Sequence, residues 1–73
     1  MAESRARISP SLEDYLEAVL ELAGDDNGAR TTDVAAKLGV SKASVNQAMG
    51  LLVNRGLIIR ERYGPVYLTE DGR

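Results

Sequence analysis

Apolar residues recur at three- and four-residue intervals early in the chain: Leu12, Tyr15, Leu16, Val19, Leu20 and Leu22. That spacing returns side chains to one face of a 3.6-residue helix, so it predicts a first helix with an apolar stripe. Glu13, Asp14, Glu17 and Glu21 make up its other face. Ser9-Pro10-Ser11 supplies the start, because proline fits a helix's first turn and a serine oxygen accepts an orphan N–H. Asp14, three residues after Ser11, completes an approximate capping box. The turn formers Gly24-Asp25-Asp26-Asn27-Gly28 end the helix.

A short second helix follows, capped by Thr31 or Thr32, with Val34, Ala35 and Leu38 as its buried side. Gly39 supplies the left-handed residue that stops it. Only Val40 separates Gly39 from Ser41, which caps the next helix. So tight a turn containing glycine forces a large crossing angle, the geometry of a helix-turn-helix. The third helix runs from about Lys42 to Arg55, with Val45, Ala48, Met49 and Leu52 inward and Gly56 as its stop. Residues 57–62 begin apolar and β-branched and turn polar, Tyr63-Gly64-Pro65 is a turn, and Val66-Tyr67-Leu68 returns as a second strand. Such a hairpin is unstable alone and must lean on the helices. Thr69 with Glu70 and Asp71 reads as another N-cap, so the chain ends where a further helix should begin, as in a piece of a longer protein or a short relative of one. The fold expected is mostly α with a small β-hairpin, a winged helix-turn-helix of three helices plus a two-stranded wing. Residues 1–8, polar and aperiodic, form a flexible N-terminal arm, and residues 9–73 form the domain.

Composition narrows the function. Seventy-three residues make one domain, and a chain this short buries only about 60% of its unfolded surface. With no cysteine there is neither disulfide nor thiolate metal site, which fits a reducing cytoplasm. Three tyrosines are the only aromatics, so the core must be aliphatic. No apolar run approaches the roughly 20 residues of a membrane span, and residues 1–9 lack the apolar stretch of a secretory signal. No membrane partner is therefore expected. The absence of histidine, cysteine and a glycine-rich phosphate loop argues against an enzyme.

Net charge is −2, but it is divided unevenly. Residues 1–28 carry seven acids against two arginines, net −5, and residues 29–73 carry seven bases against four acids, net +3. One face turned to a polyanion and another turned away would produce this split. A helix-turn-helix places the N-terminal part of its second helix in the major groove, here residues 41–47. With Val45, Ala48 and Leu52 buried, Lys42, Ala43, Asn46 and Gln47 point outward, with Ser44 at the tip. Glutamine and asparagine pair bidentately with adenine, lysine reaches guanine, and alanine or serine touches a thymine methyl or donates one hydrogen bond. Thr31 and Thr32, at a helix start, suit a phosphate. Arg60, Arg62 and Tyr63, on the hairpin and its tip, suit backbone phosphates or the minor groove.

Plainer readings stand beside these. Ser41 and Thr31 are needed as caps in any case, and Lys42, Asn46 and Gln47 would equally make a solvated face. A winged helix that binds protein and never DNA is the main alternative, with Gly50, Leu51 and the wing as its contact patch. The order of elements, helix, helix-turn-helix, then hairpin with a basic rim, favours DNA.

The residues also carry a resemblance. Ser11-Leu12-Glu13-Asp14-Tyr15-Leu16-Glu17, Arg30-Thr31-Thr32-Asp33-Val34-Ala35, Leu38-Gly39-Val40-Ser41-Lys42-Ala43-Ser44-Val45, Arg55-Gly56-Leu57 and Leu68-Thr69-Glu70-Asp71-Gly72-Arg73 resemble the N-terminal domain of the DtxR/MntR metal-dependent repressors. The resemblance implies base contacts at Ser41, Ala43, Ser44 and Gln47 and phosphate contacts at Thr31 and Thr32. It also implies a longer protein that homodimerises through a further helical domain bearing most of the metal ligands. Asp14 and Glu17 match helix 1 carboxylates that manganese-type members use as ligands, and hard oxygen donors suit Mn²⁺ or Fe²⁺. Read from the residues alone, the same two carboxylates are a solvated acidic face with capping duty. This chain holds no cofactor by itself, and a divalent Mn or Fe ion is expected only in a longer parent. The chain departs from the family where a basic pair usually stands, having Gly50 and Leu51 instead.

Overall fold

Among the described residues, three helices, α1 (Leu12–Leu22), α2 (Thr31–Leu38) and α3 (Lys42–Asn54), and three short strands, β1 (Gly28–Ala29), β2 (Ile58–Arg60) and β3 (Val66–Leu68), follow in the order α1-β1-α2-α3-β2-β3. The computed structural model describes residues 10–60, 62 and 64–72. The arm expected at residues 1–8 lies outside them.

The capping box of α1 is present: Ser11 Oγ accepts the Asp14 N–H at 3.1 Å and Asp14 Oδ2 accepts the Ser11 N–H at 3.0 Å. Tyr15, Ala18 and Val19 are its buried residues, with Leu12, Leu16 and Leu22 packed beside them. Leu20, expected in the stripe, is 41% exposed instead. At 3.6 residues per turn it stands about 140° round the helix from Tyr15, whereas Ala18 stands only about 60° away.

The start of α2 also differs from expectation. Arg30, not Thr31 or Thr32, is the N-cap residue, and no side chain caps the helix. Ala29 is held in β1 opposite Val66, which keeps Arg30 extended and brings Thr31 directly into the first turn. Gly39, at φ +68°, ends α2. Its N–H and that of Val40 both donate to Ala35 O, at 2.8 and 3.1 Å. Ser41 then caps α3 by accepting the Ser44 N–H at 3.1 Å. The exit from α3 is a Schellman turn: Gly56, at φ +75°, donates to Val53 O at 2.9 Å and Leu57 donates to Leu52 O at 3.1 Å.

The expected two-stranded wing gains a third strand. The antiparallel sheet runs β1-β3-β2, with Ala29 opposite Val66 on one side of β3 and Ile58 opposite Leu68 on the other. A two-residue strand has no alternation to detect, and Gly28 lies within what reads as a polar turn. Its glycine is required by packing: a Cβ there would stand 2.6 Å from Cε1 of the Tyr67 ring.

α1 packs on α2 and α3, and α3 on β2. Where they meet, Val19, Val34, Val45, Met49, Leu52, Ile58 and Val66 are fully buried, and no described polar or charged residue is buried with them. The core is aliphatic as expected except for Tyr15, whose ring is buried within it. Beyond β3 the chain is tied back to the exit of α3. Thr69 donates its N–H to Leu57 O at 3.1 Å and its hydroxyl to Gly56 O at 2.7 Å. The same hydroxyl accepts the Gly72 N–H at 3.2 Å, an N-cap-like contact, and residues 70–72 form a turn. A Cβ at Gly72 would collide with the Leu57 carbonyl oxygen.

Candidate nucleic-acid interface

α3 emerges from the turn at residues 39–41 with its first residues projecting from the core, because burial begins only at Val45. Ser41, Lys42, Ala43, Ser44 and Gln47 are all exposed. The two serines also serve the helix: Ser41 Oγ accepts the Ser44 N–H and donates to Ser44 Oγ at 3.1 Å. Asn46 differs from its neighbours in being half-buried. Its Oδ1 accepts a 2.6 Å hydrogen bond from Arg60 Nη2. Arg60 also donates from Nε to Gly64 O at 3.3 Å.

The wing thus meets the helices on two sides. On one, Arg60 and Arg62 line an open groove with Gln47, Gly50, Leu51, Val53 and Asn54 of α3. On the other, Gly64 and Pro65 form a hollow with Arg30, Thr31 and Thr32 at the start of α2. The sequence reading missed Arg30. Its signal was a base immediately before a helix start already assigned to phosphate. Arg30, Lys42 and Arg62 make no ion pair with a described residue, whereas Lys37 is neutralised by Glu21 of α1 at 2.7 Å. Tyr63 lies outside the described residues.

The face of α3 beyond Gln47 is less polar. A Cβ on Gly50 would meet nothing within 4 Å, and Leu51 is 46% exposed. Ile59 on β2 is 58% exposed. No phosphate-binding side chain occupies Gly50 or Leu51.

Asp14 and Glu17 are exposed and line one cleft with Glu21 and Lys37. Asp14 uses Oδ2 to cap α1, and Glu21 is paired with Lys37. Among the described residues no group of three or more His, Cys, Asp or Glu is placed to hold a metal ion. Octahedral ions such as Mn²⁺ need more oxygen or nitrogen donors than this pair provides, so these residues alone do not fit a resident divalent ion. No described helix is long and apolar enough to cross a membrane.

Comparison with known proteins agrees with this geometry. Residues 7–66 match the family described as iron dependent repressor, N-terminal DNA binding domain. The chain is 36% identical over 64 residues to the HTH-type transcriptional regulator MntR of Shouchella clausii, covering 88% of this chain and 45% of that protein. It is 34% identical over 65 residues to the proteins of the same name from Geobacillus kaustophilus and Bacillus subtilis, covering 89% of this chain and 46% of each. It therefore spans about half the length of the relatives it matches. The matched segment takes in α1, the helix-turn-helix and most of the wing, and the chain belongs to the family of iron-dependent repressor N-terminal DNA-binding domains.

Proposed function

We propose that this chain binds double-stranded DNA as the operator-contacting part of a transcriptional repressor, laying the start of α3 in the major groove. The observation that carries the reading is the exposure of Lys42, Ala43, Ser44 and Gln47 on the first turns of α3, flanked by Arg30 and Arg62, which pair with no described residue. Lys42 and Gln47 supply long donors for base edges, and Ser41, Ala43 and Ser44 permit close approach with short ones. Thr31 and Thr32, with Arg30 beside them, hold a phosphate at the start of α2, and Arg62 holds one from the wing.

The iron dependence named in the family's description supports a divalent ion, Fe or the chemically similar Mn, in a longer protein, with most of its ligands outside this domain. Homodimerisation of that protein would set two copies of α3 about 34 Å apart on successive turns of one DNA face. Such a regulator works in the cytoplasm and catalyses no reaction. One copy alone, with Gly50 and Leu51 where phosphate partners would help, binds weakly.

Fluorescence anisotropy with a labelled duplex tests the reading. Lys42→Ala combined with Gln47→Ala is expected to weaken binding at least tenfold, given about 1–3 kcal/mol for a good base contact. Unchanged binding by the double variant would move the interface away from the start of α3 and favour a protein-contact role for the Leu51 face.

A further inference from the structure

We infer that Arg60 is a positioning residue, a strut that sets the wing against α3 through Asn46, and not a phosphate ligand. Arg60 is the last residue of β2, half-buried, opposite Val66. Its fork reaches in two directions, Nη2 to Asn46 Oδ1 at 2.6 Å and Nε to Gly64 O at 3.3 Å. One side chain thus joins the end of β2, the turn of the wing and the middle of α3. The bond to Asn46 is charge-assisted and part-buried, the class of hydrogen bond that is short and strong.

The consequences fall on both partners. Asn46 is flanked by Val45, which is fully buried, and Gln47, which is exposed. One lone pair of its acceptor oxygen is held by the wing, which fixes the amide's orientation and competes with the bidentate adenine contact its residue type suggests. Arg62, by contrast, is exposed and has no partner among the described residues. The wing therefore divides its labour: Arg60 fixes the pitch of the hairpin relative to the recognition helix, and Arg62 is left to meet the polyanion. Lysine at position 60 keeps the charge but loses the planar fork that serves two acceptors at once.

This inference rests on the DNA-binding reading for its affinity test but also has a readout without DNA. Amide hydrogen exchange on the free chain is measured for wild type, Arg60→Lys and Asn46→Ala. Faster exchange at residues 64–68 in both variants, with α1 unchanged, is the expected result. Protection equal to wild type overturns the inference. Duplex titrations across a salt series supply the second arm. Each single variant is expected to weaken binding about tenfold, and the double variant by the same total of about tenfold rather than a hundredfold, because both remove one interaction. Asn46→Ala removes no charge, so its salt slope stays that of wild type. A full rescue by Arg60→Lys, or fold-changes that multiply in the double variant, would make Arg60 a phosphate ligand and Asn46 an independent reader. If Asn46→Ala does not fold, Arg60→Lys carries both arms alone. Absence of salt-sensitive binding by wild type would sink the DNA reading, and the exchange measurement would still decide the strut.

Discussion

Gly50 and Gly72 show how differently two glycines constrain the same chain. A Cβ on Gly50 meets only open space, and a helical glycine costs about 1 kcal/mol relative to alanine. Gly50→Ala should therefore raise stability by about that amount, or about 4–8 °C in Tm for a domain of this size, read by thermal circular dichroism. A lower Tm would mean that side chains crowd the face of α3 around Gly50. At Gly72 the obstacle is the Leu57 carbonyl, a backbone atom with no rotamer to change. Gly72→Ala should cost about 1–3 kcal/mol, the range for overpacking, and lower Tm accordingly. The sequence displayed Leu68-Thr69-Glu70-Asp71-Gly72 as part of a resemblance, without its cause. The cause is the clasp in which Thr69 and Gly72 close on Gly56 and Leu57. Gly28 was legible only as a turn former and not as a packing requirement, because what excludes its side chain is a ring that arrives much later in the chain, on β3.

At the scale of elements, caps and apolar period carried most of the information. α1 and α3 were legible because Ser11 and Ser41 bond locally to residues three positions on, and because the buried sets of both helices recur at helical spacing. α2 was misplaced at its start because the pairing of Ala29 with Val66 is a tertiary event that no local propensity announces. Ser41 offers a clean test of whether one residue both caps and contacts. Ser41→Ala removes the acceptor of the Ser44 N–H and should cost about 1 kcal/mol, whereas glycine at an N-cap costs only a few tenths. If the hydroxyl also meets DNA, both variants lose affinity while only the alanine variant loses appreciable Tm. Retention of wild-type affinity by Ser41→Gly would reduce Ser41 to a cap.

For the whole molecule, the winged helix-turn-helix and the exposure of the α3 start followed from order, spacing and charge. What could not be read in advance was how the wing sits. The Arg60–Asn46 bond joins residues 14 positions apart through a geometry set by the packing of α3 on β2. Arg30 joined the candidate interface only when β1 fixed the entry to α2. The Asp14 and Glu17 carboxylates illustrate the opposite limit. Their helical spacing is legible, but the donors that would complete an ion site are not among the described residues.

These scales meet in the electrostatics of binding. Each phosphate neutralised contributes about −0.9 to the slope of log K against log salt, so Arg30 and Arg62 together predict a slope of roughly −2. The decisive measurement is therefore an anisotropy titration of the chain with duplex DNA across a salt series. Weak binding is expected, with a slope near that value that becomes shallower by about one unit in Arg62→Ala. Binding that is absent at low salt, or that ignores both salt and Arg62, would contradict the DNA-binding reading.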